Sequence, residues 1–365
     1  QWLPMIDHPY DKASNEFIVT APVKYSVVAN GLLLEETELG DGTRRTHWKN
    51  SVPIASWLVA IGVAEFAARH FGEVNGIPLQ TWVFPEDREN GVITFEVPVR
   101  QAITFFSEHI GPYPYEKLAH LQSSTRFGGM ENASAIFYSD RAFRQDGVGE
   151  LLIAHETAHQ WFGNAVTERE WPHLWLSEGF ATYFAALWVR SSVGDSAFRA
   201  RMSDIRDRIV SDTTAVPHRP VLDTATTDLM SLLNRNSYEK GGFVLHMLRE
   251  EIGDSAFFGG VRDYFLKHRH GTALTSDLQA GVEKSSGKSL GAFFDQWLRR
   301  PGYPEIDVTW SADSTATNIM LQVVQSRTHG LFQFPLDFVL SDSTGDARRL
   351  DIGIPAQDTT AVVLP

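Results

Sequence analysis

The sequence predicts a multidomain α+β chain: part of an all-β domain, then a small sheet leading into a helical body, then a C-terminal β-sandwich. Three observations predict this. Residues 1 to about 76 are short apolar or alternating runs punctuated by turn residues. From about 147 to 299, successive segments carry apolar residues at helical spacing. Beyond the breaker cluster Arg300-Pro301-Gly302-Tyr303-Pro304, short alternating runs return.

In chain order, EFIVTAP, KYSVVANG, LLLEETELG, RTHWKN and SWLVAIGVAEF read as strands, with turns at Ala29-Asn30-Gly31 and Gly40-Asp41-Gly42. LQTWVFP reads as a strand, and Val97 to His109 has helical spacing, closed by Gly111-Pro112-Tyr113-Pro114. KLAHLQSST is strand-like and runs into Arg126-Phe127-Gly128-Gly129-Met130-Glu131-Asn132. AIFYSD is another short strand. Helices are expected over 147–163, 177–193, 195–212, 238–252, 254–269, 275–286 and 289–299. EIDVTWSAD, NIMLQVVQS, FPLDFVLSD, RRLDIGI and AVVLP are spaced as in a small sandwich. The expected domains are 1–76, 77–303 and 304–365, with no internal repeat.

Composition bounds the function. At 365 residues, 43% hydrophobic and 12% aromatic, the chain has material for two or three real cores. Acids outnumber bases 45 to 32, a net charge of −13, which argues against a nucleic-acid partner. There is no cysteine, so any metal must be held by His and carboxylate. No run of about 18 apolar residues and no signal peptide appears, so no transmembrane segment is read. The opening WLPMIDHPYDKA reads as the inside of a domain, so the natural chain is expected to begin upstream. Compartment and oligomeric state stay open. His8, His47 and His70 are scattered and read as surface or packed histidines.

The chemistry concentrates in residues 155–180, HETAHQWFGNAVTEREWPHLWLSEGF. On a helix, His155 and His159 share one face. Glu178 follows eighteen intervening residues later, with Ser177 before it as a candidate N-cap. Two histidines and one carboxylate leave an open position on zinc, the ligand count of a catalytic site. Glu156 sits between the histidines as the group to take a proton from an activated water. A second-layer amide or carboxylate should orient the imidazoles, and Asn164 or Glu168 are the candidates. His173 and Trp175 also lie between the ligands. Arg126 either faces substrate or pairs with one of the many acids, and Phe127 and Met130 either shape the first side-chain pocket or pack in the core.

Together with the upstream GGMEN, the HETAH segment resembles the aminopeptidase N and leukotriene hydrolase family of zinc metallopeptidases, gluzincins with a thermolysin-like catalytic domain. The resemblance covers nearly the whole chain. It implies a catalytic domain over 77–303 between two β domains, and one Zn2+ on His155, His159 and Glu178 with Glu156 as general base. Gly128, Gly129, Met130, Glu131 and Asn132 match the family's GxMEN motif, where the glutamate, here Glu131, holds the substrate's free α-amine. Tyr238-Glu239-Lys240-Gly241 matches the run carrying the family's transition-state tyrosine. The implied function is a zinc aminopeptidase acting on peptides with a free N-terminus. An endopeptidase, a bifunctional leukotriene-hydrolase-like enzyme and, from another class, a catalytically silent scaffold are the alternatives. The family's first-domain amine-binding residue and its C-terminal helical domain are not seen in this sequence.

Overall fold

The structure, a computed structural model, describes residues 3–140, 149–313, 318–341 and 347–364. Strands β1 (Lys12–Pro22), β3 (Leu32–Glu38) and β4 (Thr43–Ala55) form an antiparallel sheet in the order β1-β4-β3. Beside it β2 (Ser26–Ala29) pairs with β5 (Ile61–Ala64). The run SWLVAIGVAEF, expected as one strand, splits: Ser56–Leu58 is a 3-10 turn and only Ile61–Ala64 is extended. Ser56 and Leu58 are buried in that turn, which the Val59 amide closes onto the Ser56 carbonyl at 3.3 Å. Val27, Val28, Ala29 and Trp48 of this unit share a core with Trp82, Ala119, Leu121 and Ala135 beyond it.

The central sheet has the order β6-β7-β8-β10-β9, built from Ala67–Val74, Ile77–Val83, Leu118–Ser123, Ala135–Ser139 and Gly129–Met130. β7 and β10 both run parallel to β8, while β6 and β9 are antiparallel additions at the two edges. The β6–β7 hairpin spans residue 76, so the chain enters this sheet before residue 77, the expected start of the middle domain. The crossover from β7 to β8 is helix α1 (Arg88–His109), longer than the 97–109 expected. Pro98 lies inside it. Proline removes one backbone donor there, and the periodicity visible to sequence begins only around it. Edge strand β9 carries the GGMEN turn.

The helical body comprises α2 (Glu150–Ala158), α3 (Trp175–Ser192), α4 (Asp195–Val210), α5 (Gly241–Ile252), α6 (Asp254–His268), α7 (Thr275–Ser286) and α8 (Gly291–Arg299). Residues 147 and 148 of the expected first helix lie outside the described residues. Helix α3 is buried on every side from Trp175 to Trp188, the pattern of a helix at the centre of a core. Trp161, Phe162, Phe180 and Phe184 pack there, and the Trp161 indole N–H donates to the Gly111 carbonyl at 2.8 Å. A Cβ on Gly179 would lie 2.9 Å from the carbonyl carbon of Gly241. Glycine therefore lets α3 and the start of α5 touch backbone to backbone, which brings Tyr238 beside Glu178.

The tail forms the expected sandwich. β11 (Ile306–Ala312), β12 (Ile319–Gln325) and β15 (Thr359–Leu364) make one sheet, and β13 (Phe334–Ser341) pairs with β14 (Ala347–Ile354). Leu321, Val323, Ile354 and Leu364 are buried between them. Among the described residues, no helix is long and apolar enough to cross a membrane.

Candidate active site

Helix α2 places His155 and Glu156 in its last turn, and His159 caps it while still helical (φ −56°, ψ −26°). The amide of His159 bonds to the His155 carbonyl at 3.2 Å, so the two imidazoles stay one turn apart. Regular helix then stops, short of the expected residue 163. The amides of Asn164, Ala165 and Val166 reach five residues back, to His159, Gln160 and Trp161. Gly163 turns the chain at φ +107°, a conformation that favours glycine.

Three side chains converge from α2 and α3. His155 Nε2 lies 3.4 Å from Glu178 Oε2, and His159 Nε2 lies 3.2 Å from the same oxygen. The two Nε2 atoms are 3.1 Å apart. Donors bound tetrahedrally at about 2.0–2.1 Å from one zinc ion stand roughly 3.3 Å from one another. The three measured separations bracket that value. Charge gives a second test. Burial alone would hold His159 neutral, but Glu178 and Glu131 with Glu156 outweigh it and hold its proton up to about 10. Burial pushes the Glu156 carboxyl well above the usual carboxylate range, with Glu131 and Glu178 adding to the rise against His159. Three carboxylates around two imidazoles leave the pocket short of positive charge, which a dication supplies.

Glu156 and Glu131 complete a second group with His159, their donor atoms within 4.8 Å of one another. Gly129 pairs with Tyr138 across the β9–β10 ladder and lies directly against Glu156. A Cβ at Gly129 would sit 2.4 Å from Glu156 Oε1. The Tyr238 hydroxyl donates to Glu178 Oε1 at 2.9 Å, and its ring stacks on His155 at 6.2 Å between centroids. Tyr238 sits in a single π-helical turn, Asn236–Lys240, at the head of α5. Such turns recur at functional sites. Burial and Glu178 push its hydroxyl far up, so it remains a proton donor.

The profile of the Peptidase family M1 domain matches residues 94–297, and that of the Peptidase M1 N-terminal domain matches residues 1–58. The chain belongs to peptidase family M1. Glutamyl aminopeptidase from Bos taurus is 28% identical over 96% of this chain and 38% of its own length. An M1 zinc metallopeptidase from Deinococcus radiodurans superposes with a TM-score of 0.70 at 29% identity, over 82% of this chain and 65% of that one. Aminopeptidase A from Legionella pneumophila shares the fold, with a TM-score of 0.82 at 22% identity over 98% of this chain and 43% of that one. The chain spans about a third to two fifths of the curated glutamyl aminopeptidases it matches. Zinc is the metal of this M1 fold, and the donor set here fits it.

The residues that orient the M1 ligands differ from those expected. Asn164 donates its amide to the Glu131 carbonyl at 2.6 Å, and Glu168 is buried with neither oxygen hydrogen-bonded. It is the Phe162 carbonyl at 3.2 Å and the Ser177 hydroxyl at 3.1 Å that face His159 Nδ1. A proton held on Nδ1 leaves the lone pair of Nε2 for the metal. Ser177 is thus no N-cap. Helix α3 begins two residues earlier, capped at Leu174, because Trp175 is drawn inward and its indole donates to Thr275 Oγ1 at 2.9 Å. A Cβ on Gly163 would strike Ser177 Oγ at 2.2 Å, so the glycine also makes room for this contact. Ser177→Ala is expected to weaken zinc binding by about tenfold, read by competition with a chromogenic chelator, with little change in Tm.

His173 is likewise structural: its Nδ1 accepts the Thr275 amide at 3.0 Å at the start of α7. Arg126 and Phe127 are exposed and Met130 is half-buried. Gln160 had no signal beyond following the second histidine, yet it matters. Its Nε2 donates to the Glu131 carbonyl at 3.0 Å while its Oε1 accepts the Ser134 amide at 2.8 Å. Trp57, from the N-terminal unit, packs against Trp171 with centroids 5.0 Å apart and the rings tilted by 40°. Trp171 lines a cavity of about 540 Å³ with His8, Tyr10, Arg169, Pro172 and Leu229. His8, read as isolated, therefore borders a cleft, and no spacing in the chain announced it.

Proposed function

We propose that the chain is a zinc-dependent aminopeptidase that removes N-terminal residues from peptides. One observation carries the reading: the Glu131 carboxylate lies within 4.8 Å of donor atoms of both Glu156 and His159. A free α-amine has a pKa near 7.7–8.0 and is mostly cationic at neutral pH. Paired with Glu131, it sets the scissile carbonyl one residue from the chain end, beside the proton acceptor.

His155, His159 and Glu178 would hold the ion. When bound, zinc lowers the pKa of a water toward about 7 and polarises a carbonyl oxygen. Glu156 would accept a proton on its carboxylate from a water held at this site and later deliver it to the leaving amine. Tyr238 turns its hydroxyl from Glu178 to the oxygen that gains charge, a contact made chiefly in the transition state. Gly129 leaves Glu156 the space it needs.

Amino-acid anilides test the reading. A chelator should abolish release of the aniline, and added zinc should restore it. The panel includes the glutamyl anilide, since the curated relatives are named for that residue. Zinc-loaded protein that turns over no member would remove the enzyme reading and favour a scaffold. Cleavage of N-blocked peptides at internal bonds would favour an endopeptidase. Gly129→Ala is expected to cost about a hundredfold in kcat by displacing the Glu156 carboxylate, with zinc content and Tm retained. Unchanged kcat would mean Glu156 tolerates the displacement.

A further inference from the structure

We propose that Lys12 is a positioning residue for Glu131, and hence that the N-terminal β unit is a working part of the active site. The inference rests on the aminopeptidase reading, in which Glu131 holds the substrate amine. Lys12 opens β1 and pairs with Ala55, immediately before the Ser56–Leu58 turn. Its ammonium leaves its own unit and donates to the carbonyls of Asn164 at 3.0 Å and Ala165 at 3.1 Å. Both belong to the turn that follows the second histidine. From the same residue, the Asn164 side chain donates to the Glu131 carbonyl at 2.6 Å, and the Asn164 amide bonds to the His159 carbonyl at 3.1 Å. Asn164 is thus the joint between the amine anchor and the metal helix, and Lys12 grips that joint from outside.

The chemistry explains a lysine here. An enclosed ammonium is costly unless its protons and charge are answered. Two carbonyls answer two N–H groups. Burial lowers the Lys12 ammonium to about 7, and the neighbouring Glu168 carboxyl, itself pushed up by burial, opposes that fall. Asn164 Oδ1 is buried without a partner. The Asn164 side chain is therefore held at Glu131 by its donor end alone, and its backbone must be fixed for that bond to keep its place. Thr167 Oγ1 shares the Asn164 carbonyl at 2.9 Å, so Lys12 is one of two holds on it.

The same β unit grips the rest of the turn. Trp57, two residues past Ala55, accepts the Asn132 side-chain amide on its carbonyl at 3.4 Å. Asn30 donates to the Ala133 carbonyl at 2.6 Å, and the Gly31 amide donates to Ser134 Oγ at 2.9 Å. Every residue from Glu131 to Ser134 is held, directly or through Asn164, by a residue numbered below 60. A shift of the β unit moves the anchor relative to the metal ligands.

The test compares binding of two ligands that are not hydrolysed: the amino alcohol corresponding to the best anilide substrate, and its desamino counterpart. Calorimetry on the zinc-loaded full chain reads the preference for the amine. Lys12→Met should reduce that preference roughly five- to thirtyfold, with desamino binding and zinc stoichiometry unchanged, and Lys12→Arg should recover most of it. Lys12→Gln, which keeps a donor for one carbonyl, serves if the Met variant does not fold and should show a partial loss. A variant that keeps the full preference overturns the proposal. So does an equal loss for both ligands with falling zinc content, since Lys12 would then only support the fold. An unsubstituted protein that does not distinguish the two ligands would instead refute the aminopeptidase reading.

Discussion

Glu156→Gln should lower kcat on an amino-acid anilide by about a hundred- to ten-thousandfold, the usual contribution of a positioned general base. The side chain is buried against Gly129, and glutamine fills the same volume, so packing is preserved. The ligand triad is untouched, because His155, His159 and Glu178 make their contacts without Glu156. Zinc content measured by elemental analysis should therefore stay at one per chain while turnover collapses, and KM should move little. Retained kcat would mean another group accepts the proton. Glu131 stands in the same cluster and would be the first to examine.

Glu131→Ala should act on a different quantity. Removing one partner of an enclosed charge pair costs about 2–5 kcal/mol, which is roughly thirtyfold to a few thousandfold in kcat/KM for substrates with a free α-amine. N-acetylated substrates should lose nothing, because they never make the pair. The comparison of amine and acetylated substrates separates loss of the anchor from general damage. A second consequence is electrostatic. Burial chiefly raises the Glu156 carboxyl, and Glu131 adds to that rise. With Glu131 gone, Glu156 ionises at lower pH in the free enzyme, so the acid limb of the kcat/KM profile should move down in pH. A loss shared equally by acetylated substrates would remove Glu131 from its role.

Much of the site was legible because it is local. Four-residue spacing puts His155 and His159 on one helical face whatever surrounds them, and the structure keeps that relation through one backbone bond. The order of β, helical and β stretches followed from period-two and period-3.6 patterning, which neighbouring residues impose on one another. Where local rules met long-range packing they gave way. Ser177 looks like a cap but turns its hydroxyl to His159, eighteen residues away. Helix α2 stops at Ala158 because the following amides bond five residues back around Gly163, a choice made by the walls of the site. Helix α1 begins at Arg88, nine residues before its visible periodicity starts at Val97.

Spacing alone therefore supports a hydrolytic metal site on His155, His159 and Glu178, because those residues are related by the geometry of single elements and their nearest connection. It cannot place Glu131 against Glu156, Tyr238 against Glu178 or Lys12 against Asn164, pairs separated by 25, 60 and 152 positions. Those meetings exist only once the edge strand, the glycine contact between α3 and α5 and the N-terminal β unit have packed. Their side chains are brought together by burial summed over many residues, a term that no short stretch of sequence contains.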